Sequence, residues 1–183
     1  MKEDRKGQME IIGLVVIVIL ITLGMLFMAV FALRESPQKR IITQKGLAVS
    51  TISALMKTTI SDPDCLPGHA GGGFFPLGGV ILEDCALNEQ FTGGSHYRCG
   101  GKHSCDFFRQ QAAELLEQTL GQWNKNYQFS SVLVSPGRRE VVPLFEPITR
   151  GGGCPPLKDR ESSGSFPLST DVGMVESVLY LCG

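Results

Sequence analysis

The chain has 183 residues, of which 17 are Lys or Arg and 18 are Asp or Glu, so its formal net charge at pH 7 is −1. This balance argues against a nucleic-acid partner, because no strong basic surface is available to neutralise phosphates. The 22 glycines and 10 prolines indicate a loop-rich protein, and no motif in the sequence calls for a cofactor.

An uninterrupted apolar run occupies residues 11–33, close to the start of the chain. As a helix it is roughly 35 Å long, enough to cross a hydrocarbon core of about 30 Å. It is also longer than the apolar stretch of a cleavable secretory signal, and no small-x-small cleavage site follows it. A buried helix of a soluble domain is rarely apolar on every face. We therefore predict a single-pass transmembrane helix over 11–33 that stays as an anchor.

Basic residues flank both ends of this run, so the positive-inside rule gives no clear orientation and slightly favours a cytosolic C-terminal part. The cysteines favour the opposite orientation, because all of them follow the run and their number is even, as expected in an oxidising compartment. We therefore predict a cytosolic segment 1–10 and an extracytoplasmic C-terminal part at the cell membrane. The six candidates for disulfide bonds are Cys65, Cys85, Cys99, Cys105, Cys154 and Cys182.

Six cysteines allow fifteen pairings, and the sequence does not select one of them. The simplest arrangement is sequential: Cys65–Cys85, Cys99–Cys105 and Cys154–Cys182. We favour the last pair most strongly, because it would tie a glycine-rich loop to the end of the chain. A zinc site is the alternative use of these thiols, but the sequence has no Cys-x-x-Cys pair, and His69, His96 and His103 form no repeated ligand pattern.

A second helical segment is expected directly after the anchor. Pro37 marks a break in the chain and suits the first turn of a new helix. The apolar residues that follow recur at spacings typical of one helical face, and Asp62-Pro63 ends the pattern. We predict an amphipathic stalk helix within 34–62. Its apolar stripe consists of Ile41, Ile42, Ala48, Val49, Ile52, Leu55, Met56 and Ile60.

Residues 63–183 are expected to form a small α+β domain that disulfides stabilise. The stretch up to Lys102 is rich in turns, and its apolar pieces at 74–77 and 80–82 predict at most a strand or two. A clear amphipathic helix then follows over 106–124, with Asp106 as its N-cap. The apolar face of this helix consists of Phe108, Ala112, Leu115, Leu116, Leu120 and Trp123.

Strands are predicted for the remainder of this domain. Segments 129–135 and 140–145 flank the turn Ser135-Pro136-Gly137 and indicate a hairpin. The clearest alternation in the chain runs over 174–182, and residues 166–169 are its expected partner across 171–173. The fold class we expect is therefore α+β: a transmembrane helix that continues into a stalk helix, then one helix packed on an antiparallel sheet.

The most specific local pattern is Arg5-Lys6-Gly7-Gln8-Met9-Glu10, directly before the apolar run. Here the chain resembles archaeal proteins of the type IV pilin-like superfamily, whose class III signal places a basic pair and a glycine before the cleavage point. The resemblance covers roughly residues 5–33 and the general plan of a hydrophobic helix that carries a small outer domain. It implies that Lys6 and Gly7 form a processing site, that Gln8 is the mature N-terminus and that Glu10 is the acidic residue at the helix start.

The same residues also suit an anchor that is not cleaved. Lysine and arginine flank most anchors on the cytosolic side, and Glu10 is favourable in the first turn of any helix because of the helix dipole. Two functions therefore stay open. The first is a structural, pilin-like filament or pseudopilin subunit with the membrane and copies of itself, or other pilin-like subunits, as partners. The second is a single-pass surface protein that binds a partner through the loops between Cys65 and Cys105.

Enzymatic chemistry is the least favoured expectation. His96, Cys99, His103 and Cys105 lie close enough in sequence to form a cysteine–histidine pair or a metal site. Such a pair requires a free, activated thiol, and a disulfide removes it. The sequence contains no nucleophile elbow, metalloprotease helix or pair of carboxylates with catalytic spacing. We therefore predict that the protein is not an enzyme and assign no catalytic or metal-binding residue.

Overall fold

The computed structural model describes residues 4–33, 37–60, 65, 75–88, 94–135, 141–156 and 160–182. The chain forms two compact units, Met1–Arg40 and Ile41–Gly183. The described helices are α1 (Asp4–Leu33), α2 (Pro37–Lys57), α3 (Leu82–Leu87) and α4 (Ser104–Leu116), with π-helical turns at Leu77–Ile81 and Glu117–Gly121. The described strands are β1 (Thr59–Ile60), β2 (Phe75–Pro76), β3 (Asn126–Val134), β4 (Val141–Pro143), β5 (Ile148–Arg150), β6 (Arg160–Ser162), β7 (Phe166–Thr170) and β8 (Gly173–Cys182).

An antiparallel sheet organises the second unit. Its centre is the pair β3 and β8, which stay in register from Asn126 opposite Cys182 to Val134 opposite Met174. Strands β4 and β5 both pair with β3, while β6 and β7 both pair with β8. The predicted hairpins β3–β4 and β7–β8 are confirmed. The turn predicted at 135–137 lies largely outside the described residues.

One face of this sheet carries the core. Alternate residues of β3 and β8 are buried, because successive side chains of a strand point to opposite faces. Helix α4 covers this face: the ring centroid of Phe108 lies 6.2 Å from that of Phe129 and 5.5 Å from that of Phe145. The predicted α+β class, with a helix on an antiparallel sheet, is confirmed. The buried residues of the two central strands are Tyr127, Phe129, Ser131, Leu133, Val175, Ser177, Leu179 and Leu181.

Helix α2 differs from the predicted helix in length and in its apolar face. One face of its C-terminal half is buried, but Ile42 is 71% exposed and Val49 is also exposed, so the predicted stripe was wrong at these positions. The helix ends at Lys57, where the Thr58 hydroxyl donates to the carbonyl of Ala54. Ile60 then belongs to β1 rather than to a helix. The buried side chains of α2 are Ala48, Ile52, Leu55 and Met56.

The segment between β2 and α3 is helical rather than extended. Of the predicted apolar pieces, 74–77 contributes only the short strand β2, while 80–82 lies in the first π-helical turn and the start of α3. The chain runs against α2 here: a Cβ on Gly78 would lie 2.8 Å from the carbonyl oxygen of Met56. Glycine is therefore required at this position, because no side chain fits between the two backbones.

Helix α4 begins at Ser104, earlier than predicted, and is followed by a π-helical turn instead of further α-helix. Its N-cap is His103, not Asp106: the imidazole Nδ1 accepts a hydrogen bond from the backbone N–H of Cys105 at 3.2 Å. The helix passes into the π-helical turn Glu117–Gly121, which contains an extra residue and rotates the following positions. Trp123 is consequently 62% exposed, although its spacing predicted a buried position.

Candidate functional site

The apolar helix of the first unit has its side chains uncovered by the described residues. Every residue of Ile12–Ala32 is exposed, and its large apolar side chains range from Leu23 at 47% to Met28 at 79%. The mean hydropathy of this stretch is 3.1, and it is long and apolar enough to cross a membrane. The hydroxyl of Thr22 donates to the carbonyl of Ile19 at 3.0 Å, so this polar group is satisfied within the helix.

The residues of the predicted processing site belong to the first turns of α1. Lys6, Gly7, Gln8 and Glu10 lie within Asp4–Leu33, and their side chains are outside the described residues. The prediction that Lys6 and Gly7 precede a cleavage point therefore stays a prediction.

Two disulfides clamp the region between residues 65 and 105, and their pairing differs from the sequential arrangement. Cys65 bonds to Cys99, and Cys85 bonds to Cys105, with Cα–Cα distances of 3.9 and 4.7 Å. The pairs Cys65–Cys85 and Cys99–Cys105 were therefore wrong. The reason is tertiary: α3, which carries Cys85, packs against α4, whose first turn carries Cys105. The two loops that the bonds close overlap.

This pairing decides the chemistry available around His96 to Cys105. All four cysteines are fully buried in disulfides, so neither Cys99 nor Cys105 offers a thiol to a neighbouring histidine. His103 uses its Nδ1 to cap α4, whereas His96 is exposed. Within the described ranges no group of three or more His, Cys, Asp or Glu side chains could hold a metal ion.

A buried carboxylate, which the sequence analysis missed, organises the loop before α4. Asp84 of α3 is only 4% exposed. Its Oδ1 accepts hydrogen bonds from the backbone N–H of His96 at 3.1 Å and from the Asn88 amide at 2.8 Å, and its Oδ2 accepts from the N–H of Tyr97 at 3.2 Å. The signal in the sequence was the acidic pair Glu83-Asp84 inside the otherwise apolar stretch 80–86. Asp84 thus acts as a structural anchor for this loop.

The third disulfide joins Cys154 to Cys182, as predicted, with a Cα–Cα distance of 5.4 Å. It fastens the loop after β5 to the last residue of β8. The side-chain oxygen of Gln128 on β3 accepts a hydrogen bond from the backbone N–H of Cys154 at 3.2 Å and holds the same loop from the other central strand. All six cysteines therefore form disulfides.

A polar cluster fixes the end of the second π-helical turn to the sheet. Arg150 of β5 donates to the carbonyl of Gly121 at 2.7 Å, and its Nε lies 3.4 Å from Glu117 Oε1. The Tyr127 hydroxyl donates to Glu117 Oε2 at 3.3 Å. Burial, followed by the charge of Glu117 and this hydrogen bond, raises the pKa of Tyr127 to about 12. The cluster connects the helix to both β3 and β5.

Two surfaces of the second unit expose apolar groups. A groove of about 290 Å³ lies between α2 and the end of α4, with Leu47, Ala54 and Leu115 among its lining residues and Trp123 at one side. The second surface, here named the outer sheet face, is the side of β3 and β8 opposite the core, and the described residues leave it partly exposed. It consists of Gln128, Ser130, Val132, Val134, Met174, Glu176, Val178 and Tyr180.

The outer sheet face carries few charges. Glu176 lies near the middle of β8, and the guanidinium carbon of Arg160, on the neighbouring β6, lies 4.6 Å from the ring centroid of Tyr180. Within the described residues neither Glu176 nor Arg160 forms an ion pair. The sequence contained a signal for this surface, because both alternating sets of 174–182 are largely apolar, whereas a solvated sheet face is usually polar.

No protein family, no curated protein and no solved structure matches this chain.

Proposed function

We propose that the protein is a membrane-anchored structural protein, in which α1 crosses the membrane and the second unit lies outside the cytosol as part of a pilin-like assembly. The single observation that carries this proposal is that α1 is an apolar helix whose described side chains are all exposed, whereas the unit that follows it contains three disulfides. Such a helix is stable in lipid because its backbone hydrogen bonds are satisfied internally.

The disulfides support the proposed location of the second unit. Disulfides persist in oxidising compartments and are rare in the cytosol, where thiols are kept reduced. All six cysteines follow α1 in the chain, and four of them are fully buried. A cytosolic N-terminus and an extracytoplasmic second unit is the topology that accounts for both the helix and the disulfides.

The pilin-like assignment is supported by the arrangement of the chain rather than by a catalytic site. Lys6-Gly7 lies three residues before the apolar run 11–33, and Ile12–Ala32 offers an apolar surface on all sides. Such a surface suits contact with lipid and with α1 of neighbouring copies alike. The alternative is an uncleaved single-pass surface protein. It has the same anchor, but it keeps residues 1–7 and does not assemble with other copies.

The test is the intact mass and N-terminal sequence of the protein recovered from its native membrane without reduction. A chain that begins at Gln8, with two hydrogens missing per disulfide, supports the processed subunit. A chain that still carries residues 1–7 rejects processing and leaves the uncleaved anchor. A Gly7→Leu variant serves as the matched control, since it changes the proposed recognition site and leaves the apolar helix intact.

A topology measurement completes the test. A peptide tag placed after Gly183 is expected to react with antibody on intact cells, whereas a tag placed before Met1 in the Gly7→Leu variant is expected to react only after the membrane is permeabilised. The reverse pattern, or free thiols in the purified protein, would overturn the extracytoplasmic assignment.

A further inference from the structure

The outer sheet face carries a negative group and a positive group on opposite sides of Val178. We propose that it binds the same face of a second copy of this chain, with a two-fold axis that passes near Val178 and runs perpendicular to the strands. This inference rests on the anchoring part of the proposed function, because the membrane anchor brings the copies together.

The order of side chains along β8 carries the proposal. Glu176, Val178 and Tyr180 point to the same side of the sheet, spaced by about 7 Å from one to the next. The Arg160 guanidinium sits over the Tyr180 ring at 4.6 Å, which places a positive charge at that end. Val178 thus separates a negative group from a positive group on one surface.

The symmetry follows from these charges. A two-fold axis perpendicular to the strands reverses the strand direction across the interface, so Glu176 of one copy faces Tyr180 and Arg160 of the other. An axis parallel to the strands would instead place Glu176 opposite Glu176 and is disfavoured. The perpendicular arrangement forms the Glu176–Arg160 contact twice and leaves Val178 to meet its own counterpart.

The surroundings of the axis suit a contact between sheets. Val178 lies opposite Ser130 and next to the Val132–Glu176 pair, so small and apolar side chains occupy the centre. The loop after β5, held by Gln128 and Cys182, lies at the Tyr180 end of this face, so the contact depends on the long side chains of Glu176 and Arg160 rather than on close packing of the two sheets. Both charges lack an ion-pair partner within the described residues, so neither has to leave an existing one.

The size of the face predicts a weak interaction. The nine paired positions of β3 and β8 span about 30 Å by about 10 Å, an area of about 300 Å², below the roughly 800 Å² that each partner contributes to a stable complex. The contact therefore depends on a high local concentration, which anchoring in one membrane supplies. We expect it in membranes and not in dilute detergent solution.

The experiment uses the full chain in its native membrane, with a photoreactive benzophenone amino acid at Ser130, beside the proposed axis. Irradiation is expected to produce a covalent dimer of the chain. The matched control carries the same group at Gln118, which is exposed on the second π-helical turn and away from the sheet face. Dimer yield at Gln118 is expected to be insensitive to the charge variants below.

The charge variants test the symmetry itself. Glu176→Arg alone places arginine against Arg160, and Arg160→Glu alone places glutamate against Glu176, so each is expected to lower the dimer yield by roughly fivefold. Co-expression of the two single variants restores both contacts in a mixed dimer. The double variant restores them within one chain. Recovery in both cases supports the proposal.

Three outcomes would overturn it: no dimer from the wild-type chain, crosslinks from Ser130 to a different protein, or loss of dimer in the single variants without recovery in the mixture. Non-reducing mass of each variant checks that all three disulfides form. The N-terminal mass and membrane retention, measured on the same samples, report the proposed function separately, so failure of the sheet contact is distinguishable from failure of the anchor.

Discussion

The two units of this protein use the same apolar residue types in opposite ways. In Ile12–Ala32 the leucines, isoleucines and valines are all exposed, whereas in the second unit Leu116, Leu179 and Ile81 are almost completely buried. The second unit supplies its own apolar interior by packing α4 on a sheet. Helix α1 has no such partner among the described residues.

This difference shows that hydrophobicity alone does not indicate where a side chain is stabilised. A helical period of 3.6 leaves a polar side for water, and α4 has such a period. Helix α1 is apolar on all sides, so it has no polar face for water and suits an apolar environment such as lipid. The predictions below change one unit and ask whether the other responds.

The largest expected effect is in the covalent clamp of the second unit. Replacement of Cys85 and Cys105 by Ser removes a fully buried disulfide and should lower the free energy of unfolding by about 2–5 kcal/mol. The matched control replaces Cys154 and Cys182, where Cys182 is only partly buried, and should lose less. Urea unfolding followed by circular dichroism measures both. Equal retention in the membrane is expected because α1 is unchanged, and release of either variant from membranes would contradict anchoring by α1.

A charge in α1 should give the opposite result. Ile21→Lys places an ammonium near the centre of the apolar helix, at a cost of about 2.5–3.5 kcal/mol for membrane insertion. The fraction of protein in the membrane should fall, while unfolding of the second unit stays unchanged. Ile21→Leu is the control and should behave as wild type. Membrane fractionation and urea unfolding are the measurements, and an unchanged membrane fraction of the Ile21→Lys variant would contradict the anchor.

A smaller effect is expected from the hydroxyl pair in the sheet. Ser131 and Ser177 are each 1% exposed, and their hydroxyl oxygens lie 2.7 Å apart. Ser131→Ala should destabilise the second unit by about 1–3 kcal/mol, because the Ser177 hydroxyl is left without its partner. The double variant, with Ala at both positions, should recover most of that loss. If the two single losses simply add, the hydroxyls do not depend on each other.

The smallest effect is restricted to alkaline pH. The pKa of Tyr127 is raised from 10.0 to about 12, so the folded state holds its proton where the unfolded state has lost it. Below pH 10 this group should therefore cause no change of the unfolding free energy with pH. As pH rises from about 10 to about 12, the free energy of unfolding should decrease. Unfolding measured over this range, with Tyr127→Phe as the control, tests the sign. A stability that rises over this interval in wild type alone would contradict it.

Most of the individual elements were predictable, because each is encoded by local periodicity. The apolar run, the helix around Phe108 and the alternation along 174–182 all appear where expected. The differences lie at their ends. His103 rather than Asp106 caps α4, and an imidazole acceptor is a less common cap than a carboxylate. Trp123 is exposed because a π-helical turn shifts the helical register, and no residue type announces such a turn.

The sequence by itself determined the apolar helix and the α+β class of the second unit, and its cysteine count predicted disulfides, with the bond between Cys154 and Cys182 favoured among the open pairings. These features follow from the composition and from periodic patterns within single short segments. The tertiary structure alone decided the crossed pairing of Cys65 with Cys99 and Cys85 with Cys105, the buried role of Asp84, and the position of Arg160 over Tyr180. The reason is that each depends on which distant segments pack together, and local spacing carries no information about that choice.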